Sequence, residues 1–144
     1  MSDEIIANVL RDARVVAIVG LSPNESRPSW GVARFLKSHG YRVIPVNPGH
    51  AGKIILDENT YANLAAIPAD VQVDMVDVFR RSDSVAAIVD EAIDHLPHLK
   101  VIWTQLGVIS PKGAEAAGKA GITMIQDRCP KIEIPRLGIA ARRG

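Results

Sequence analysis

The chain has 144 residues, which is the length of one domain with one hydrophobic core. Hydrophobic residues make up 47% and charged residues 23%, as in folded globular proteins, and the formal net charge is +1. Such a balanced charge argues against a nucleic-acid or membrane-surface partner, and no apolar run approaches the ~18 residues of a membrane span. The single cysteine, Cys129, cannot form a disulfide within the chain. Together with an acidic start that lacks a secretion signal, it predicts a cytoplasmic protein.

Apolar segments of strand composition alternate along the chain with segments of helical periodicity. Helices are predicted at about residues 3–13, 30–39, 83–96 and 111–121. Strands are predicted at about residues 15–19, 41–46, 73–78, 100–104 and 122–126. This alternation is typical of a parallel sheet covered by helices on both faces. We therefore expect an α/β, Rossmann-like, doubly wound sheet of about five strands in the order 3-2-1-4-5, formed by a single domain over residues 1–144.

Two stretches are less regular. Residues 47–69 have no clear period, although 54–56 favours a short extended piece and 61–66 one or two helical turns. The tail after residue 126 also lacks periodicity. Its apolar residues between Ile132 and Ile139 either serve a homodimer or pack onto the core.

The loop between the first strand and the following helix, residues 20–29, is the most informative segment. It is rich in small residues and ends at Ser29, which we place at the N-cap of the helix. In that arrangement the N–H groups of Trp30, Gly31 and Val32 face outward at the positive end of the helix dipole. Such a position favours a phosphate group.

The same loop lacks the features of a dinucleotide site. Of the three glycines in a G-x-G-x-x-G fingerprint, only Gly20 is present. The second strand ends in Asn47 and Pro48, where a nicotinamide enzyme usually has an acid for the ribose hydroxyls. Pro48 either stops the strand or forms, with Asn47, a polar wall for an adenine. The pattern indicates a nucleotide-phosphate site that is not adapted to NAD.

Three cations can reach this edge of the sheet in the predicted topology: Arg27, Lys53 and Arg80. Arg27 is as consistent with a solvated loop charge as with a ligand contact, and Arg81 is expected to be a surface charge. Phe79 either offers an apolar face to the ligand or belongs to the core.

Catalytic and metal patterns are weak in this sequence. The four histidines show no metal-ligand spacing. Asp74 and Asp77 are three residues apart on a strand and so point to opposite faces, which excludes them as a carboxylate pair. No catalytic residue and no metal site are predicted.

Five blocks in this order resemble the small stand-alone CoA-binding proteins, whose domain is similar to the CoA-binding N-terminal domain of the succinyl-CoA synthetase alpha subunit. The blocks are residues 19–23 with 27–29, 40–48, 74–80, 103–108 and 127–133. The resemblance implies that CoA or acyl-CoA is the ligand. It places the diphosphate at Gly20, Ser22, Ser29 and the following helix start, the adenosine at Asn47 and Pro48, a strand-end lining at Phe79 and Arg80, and the pantetheine arm at Gln105.

The chain departs from this family's pattern at two positions. It has Asp57 where a glycine is expected and Trp30 where tyrosine or histidine is more usual. The complete predicted ligand-binding set is Gly20, Leu21, Ser22, Arg27, Ser29, Trp30, Asn47, Pro48, Phe79, Arg80 and Gln105.

The main hypothesis is non-catalytic binding of CoA or acyl-CoA, a small-molecule ligand. The synthetase uses a second domain with a phosphorylated histidine, and no residues are left for one here, which implies binding without ligase chemistry. One alternative is a minimal NAD(P)-dependent oxidoreductase or epimerase, and another is an interaction subunit that has lost its ligand. If Cys129 lies at the carboxyl edge of the sheet, it is also a candidate for a mixed disulfide with CoA.

Overall fold

A computed structural model describes residues 1–142 of the chain, so Arg143 and Gly144 of the predicted domain lie outside the described residues. The helices are α1 (Asp3–Asp12), α2 (Pro28–Ser38), α3 (Ser82–His95), α4 (Pro111–Lys119) and α5 (Pro130–Arg136). The strands are β1 (Val15–Val19), β2 (Arg42–Val46), β3 (Ile54–Ile55), β4 (Glu58–Asn59), β5 (Met75–Val78), β6 (Val101–Thr104) and β7 (Thr123–Ile125). None of the helices in this range is long and apolar enough to cross a membrane.

Five parallel strands form the main sheet in the order β2-β1-β5-β6-β7. The predicted fold class, a doubly wound α/β sheet, is confirmed, but among these five strands the order is 2-1-3-4-5 instead of 3-2-1-4-5. The outer edge of β2 is occupied by Tyr61, whose N–H donates to the Pro45 carbonyl (3.0 Å) and whose carbonyl accepts from Asn47 N–H (2.9 Å). With that edge taken, β5 pairs with the other side of β1.

Each face of the sheet is covered by its own helices. Alternate residues of each strand point to opposite faces, so the sheet contributes to two separate cores. The first core lies under α1, α2 and α5 and contains Ile18 and Trp103. The second lies under α3 and α4 and contains Val76 and Val89. Buried on both faces, these strands have the continuous apolar composition from which they were predicted.

Two helices begin earlier than predicted. Helix α2 starts at Pro28 with Arg27 as its N-cap residue, so the predicted N-cap position of Ser29 is wrong. Proline is favoured at the first helical position because its fixed φ suits the helix and its missing N–H needs no partner. In α3 the predicted cap, Ser82, is likewise already the first helical residue. In α4, Ser110 is the cap as predicted, and its hydroxyl accepts the Gly113 N–H at 3.0 Å.

The tail contains a helix that periodicity did not indicate. Helix α5 begins at Pro130, and its Ile134 is fully buried in the first core, as is most of Ile139. Ile132 is exposed. The apolar tail therefore packs mainly onto the core, and the homodimer stays a prediction.

A two-residue turn, Leu56 and Asp57, joins β3 to β4. Both residues have positive φ (49° and 69°), which explains why a glycine is expected at position 57. The Asp57 carboxylate pairs with Lys37 at the end of α2, opposite to the helix start near Ser29. Asp57 therefore lies away from the predicted phosphate position.

Candidate functional site

The strand order places the reversal of winding between β1 and β5. In such sheets ligands bind beyond the carboxyl ends of the strands at this point. Gly20 follows β1, and its φ of +91° is one that other residues rarely adopt. A Cβ at this position would collide with the Phe79 carbonyl oxygen that follows β5. Only glycine lets the two loops approach so closely.

Asn47 ties the loop after β1 to the end of β2. Its Nδ2 donates to the Leu21 carbonyl at 3.0 Å, and its Oδ1 accepts the Gly49 N–H at 3.0 Å. The Gly20 N–H also donates to the Val46 carbonyl at 2.8 Å. Since backbone groups engage both ends of the Asn47 amide, this side chain holds the two loops together.

The start of α2 differs from the predicted cradle of free amides. The N–H groups of Trp30 and Gly31 both donate to the Arg27 carbonyl (3.1 and 3.3 Å), so their predicted outward orientation is wrong. The Ser29 hydroxyl accepts the Ser22 N–H at 3.1 Å and thereby holds the loop against the helix. The Ser29 N–H has no hydrogen-bond partner among residues 1–142. One free amide at the positive end of an 11-residue helix remains.

Three neighbouring cavities open along this edge of the sheet. The loop cavity, of about 350 Å³, lies beside the segment that joins β1 to α2. It is lined by Gly20, Ser22, Arg27, Pro28, Ser29, Asn47, His50 and Phe79. Seven of the eight residues were predicted site residues or belong to the predicted loop, and their contact with a ligand stays a prediction.

The other two cavities adjoin it in a row. The Gln105 cavity, of about 820 Å³, shares Pro28 and Phe79 with the loop cavity. The Pro48 cavity, of about 390 Å³, shares Arg80 and Ser84 with the Gln105 cavity. The carboxyl ends of β1, β2, β5 and β6 thus border three adjacent cavities, of which the Pro48 and Gln105 cavities are mostly apolar and the loop cavity is mostly polar.

Arg80 stands at the junction of the cavities. Its side chain is partly buried, and its Nε would lie 3.3 Å from a Cβ placed on Gly20. Within residues 1–142 its guanidinium has neither an ion-pair nor a hydrogen-bond partner. By contrast, Arg81 is exposed and pairs with Asp83, as expected of a surface charge. Arg80 is therefore available to an anion.

The remaining predicted residues have different surroundings. Arg27 is exposed at the rim of the loop cavity. Lys53 does not line the loop cavity, but its Nζ is 3.4 Å from Nδ1 of His50, which does. Leu21 is fully buried in the first core, and Trp30 packs under Arg34, whose guanidinium carbon is 5.6 Å from the ring centroid. Neither Leu21 nor Trp30 is among the residues that line the three cavities.

A buried acid that was not among the predicted site residues lies beneath the Gln105 cavity. Asp77 is fully buried in β5, and its Oδ1 accepts a hydrogen bond of 2.8 Å from Gln105 Nε2. Burial raises the pKa of Asp77 to about 7, against the smaller opposing effect of the Gln105 hydrogen bond. The available signal was an acidic residue inside an otherwise apolar strand.

Cys129 also borders the Gln105 cavity. It is 8% exposed, and burial raises the pKa of its thiol. The position at the carboxyl edge is the one that the mixed-disulfide hypothesis requires, and the disulfide itself stays a prediction. Between residues 1 and 142 no cluster of three or more His, Cys, Asp and Glu side chains is arranged to hold a metal ion.

Comparison with known proteins adds an independent observation. Residues 14–135 match the family model described as CoA binding domain. The protein YneT of Bacillus subtilis (strain 168) is 30% identical over 131 residues, which cover 88% of this chain and 90% of YneT. The solved structure of cell-free ID.343 from Thermus thermophilus is 33% identical with a TM-score of 0.87, covering 95% of this chain and 99% of that one. A hypothetical protein from Pyrococcus horikoshii OT3 is 31% identical with a TM-score of 0.86, covering 95% and 92%.

Proposed function

Because the chain belongs to the CoA binding domain family, we propose that it binds CoA or an acyl-CoA in the three cavities at the carboxyl edge of its sheet. The observation that carries this proposal is Arg80. Arg80 is a partly buried residue whose guanidinium has no protein partner in the described range, close to the glycine turn that leads to α2. Removing a cation from water without a partner is unfavourable, and phosphate oxygens supply the charge-assisted hydrogen bonds that it lacks.

In this proposal each cavity takes one part of the ligand. The diphosphate occupies the loop cavity, where Ser22, Ser29 and Arg27 supply polar groups and Arg80 lies nearby. The adenosine lies toward Pro48, and the pantetheine arm enters the large apolar cavity toward Gln105. Leu21 and Asn47 hold the loops together through the hydrogen bond from the Asn47 amide to the Leu21 carbonyl, and Trp30 lies outside the three cavities.

The proposed role is binding without catalysis. Along the cavities, as far as residues 1–142 describe them, no nucleophile is hydrogen-bonded to a base, the arrangement typical of transfer through a covalent acyl-enzyme. We place this role in the cytoplasm on the basis of the single cysteine in the composition.

A thermal-shift titration tests the binding. A ligand that binds only the folded protein adds about 2.7 kcal/mol to its stability when present at 100 times its Kd. We expect CoA to raise the melting temperature with increasing concentration and reduced nicotinamide dinucleotide to leave it unchanged. The reverse pattern would favour the oxidoreductase alternative. A melting temperature unaffected by either ligand at millimolar concentration would favour an interaction subunit.

Arg80→Ala should weaken CoA binding without unfolding the protein. Losing a hydrogen bond to a charged group costs about 1.5–3 kcal/mol, or roughly 10- to 150-fold in Kd. The control is Lys119→Ala, which removes an exposed cation of α4 that lines none of the three cavities and should change the Kd by less than about threefold. Isothermal titration calorimetry measures both variants. Equal affinities for Arg80→Ala and the wild type would assign Arg80 to packing.

Alkylation of Cys129 should be slow, and CoA should slow it further. The raised thiol pKa leaves little thiolate at neutral pH, and a ligand in the Gln105 cavity would cover the sulfur. Intact-mass measurement of iodoacetamide labelling, with and without CoA, gives the two rates, and the urea-unfolded chain supplies the unprotected rate. Labelling that CoA leaves unchanged would place the arm elsewhere.

A further inference from the structure

Asp77 is a fully buried carboxyl group with unused hydrogen-bonding capacity. Its Oδ1 accepts from Gln105, but its Oδ2 is buried and has no hydrogen-bond partner within the described residues. Its neighbours in the adjoining strands are Ile18 of β1 and Trp103 of β6. A carboxylate in such apolar surroundings depends strongly on its one partner.

Gln105 connects this carboxyl group with the Gln105 cavity. Its side chain lines the cavity and is only 8% exposed. Its Nε2 donates to Asp77, whereas its Oε1 has no partner among residues 1–142. That oxygen is not fully enclosed by the described residues, and the cavity is the opening that Gln105 lines. One amide therefore faces Asp77 with one end and the cavity with the other.

The protonation of Asp77 decides which end faces the cavity. An ionised carboxylate only accepts hydrogen bonds, so the amide turns its NH₂ group toward Asp77 and its oxygen toward the cavity. A protonated carboxyl group can donate its O–H to Gln105 Oε1, which turns the NH₂ group toward the cavity. If the amide did not turn, the buried O–H of protonated Asp77 would have no acceptor. In the turned form only the carbonyl oxygen of Asp77 lacks a partner, and an unpaired buried carbonyl costs less than an unpaired O–H.

We propose that Gln105, positioned by Asp77, distinguishes the free thiol of CoA from the thioester of an acyl-CoA in the Gln105 cavity. The inference rests on the proposed function, because it assumes that the pantetheine arm enters this cavity. The S–H group of CoA is a weak donor and pairs with an amide oxygen, whereas a thioester carbonyl accepts from an NH₂ group. Ionised Asp77 thus selects the thiol, and protonated Asp77 selects the thioester.

The surroundings of Asp77 contain little else that would set its charge. On the face that it shares with α2, the buried residues of that helix are uncharged. In α5, Glu133 forms ion pairs with Arg128 and Arg136. The negative charge of Asp77 contributes to raising the pKa of the Cys129 thiol. Arg80 and Arg81, which line the cavity, do not contribute to the shift of the Asp77 pKa. With that pKa raised to about 7, the preference should change near neutral pH.

Calorimetric Kd values for CoA and acetyl-CoA, measured on the full chain between about pH 5.5 and 8, test the inference. We expect the ratio of the acetyl-CoA Kd to the CoA Kd to rise about tenfold over this range, as the loss of one well-placed hydrogen bond would produce. Phosphate titration affects both ligands alike and cancels in the ratio. Asp77→Asn should make the ratio independent of pH, apart from any ionisation of the CoA thiol itself.

Two further variants complete the design. Asp83→Asn, which removes an exposed carboxylate from α3, should keep the wild-type profile. Gln105→Ala should abolish the pH dependence of the ratio while CoA still binds, because the variant lacks the amide that connects Asp77 with the ligand. A merely structural role of Gln105 would instead shift both affinities equally. A pH-independent ratio in the wild type, or an Asp77→Asn variant with the wild-type profile, would overturn this inference alone. If neither ligand binds the wild type at millimolar concentration, the proposed function fails with it.

Discussion

Asp77→Asn is expected to raise the free energy of unfolding above neutral pH relative to the wild type. The ordinary carboxyl pKa is 3.8, and burial raises that of Asp77 to about 7. Between these values the folded state binds more protons than the unfolded state, so wild-type stability falls as the pH rises from about 4 to about 7. Each pKa unit corresponds to about 1.4 kcal/mol, so the difference between variant and wild type should change by about 4 kcal/mol over this range.

Urea unfolding at several pH values measures this difference directly. Asparagine keeps the acceptor for Gln105 Nε2 and does not titrate, so both proteins should have similar stability near pH 4 and diverge toward pH 8. Asp83→Asn is again the control, since its exposed carboxylate should leave the pH profile almost unaltered. Parallel profiles for Asp77→Asn and the wild type would mean that Asp77 is ionised at low cost, with solvent reaching its second oxygen.

The parts of the fold that local sequence determines were predictable. Apolar runs identified the five strands, and the loop at 20–29 was located because a strand, a small-residue loop and an amphipathic helix follow one another directly. The start of α2 was misplaced because Ser29 has the composition of a cap, whereas Pro28 one residue earlier fixes the first helical turn. The Ser29 hydroxyl instead accepts the Ser22 N–H and so joins the loop to the helix.

The strand order and α5 depend on contacts between distant segments. No local pattern shows that Tyr61 occupies the free edge of β2, and this contact moves β5 to the other side of β1. Helix α5 has seven residues, includes a proline and is stabilised by packing Ile134 into the core. Short helices of this kind carry too little periodicity to be identified from sequence.

The predicted residues at strand ends line the cavities, whereas the residue beneath them was not predicted, and ligand binding by either stays a prediction. Gly20, Phe79, Arg80 and Gln105 line the cavities because the carboxyl ends of parallel strands meet at one edge. Asp77 was considered only as half of a carboxylate pair, and its contact with Gln105 spans 28 positions. Pairing across the sheet, which sets this contact, cannot be inferred from either segment alone.

Gly20→Ala is expected to destabilise the protein by about 2–5 kcal/mol and to abolish CoA binding. A non-glycine residue in the left-handed region costs about 1–2 kcal/mol, and overpacking adds about 1–3 kcal/mol. Here the new Cβ would meet the Phe79 carbonyl, a backbone group that cannot rotate away. Relief requires the loops after β1 and β5 to separate, which would displace Arg80 and the start of α2 from each other.

Gly121→Ala separates the conformational cost of a positive φ from the cost of overpacking. Gly121 has a φ of +73°, and within residues 1–142 no atom beyond its chain neighbours lies within 4 Å of the place that a Cβ would take. Its substitution therefore carries only the conformational cost of about 1–2 kcal/mol.

Gly121 precedes β7 at the opposite edge of the sheet, so CoA affinity should remain at the wild-type value. Urea unfolding gives both stabilities, and calorimetry below the melting temperature gives both affinities. If Gly20→Ala is no less stable than Gly121→Ala and retains CoA affinity, the close approach of Gly20 to Phe79 is not required for the site.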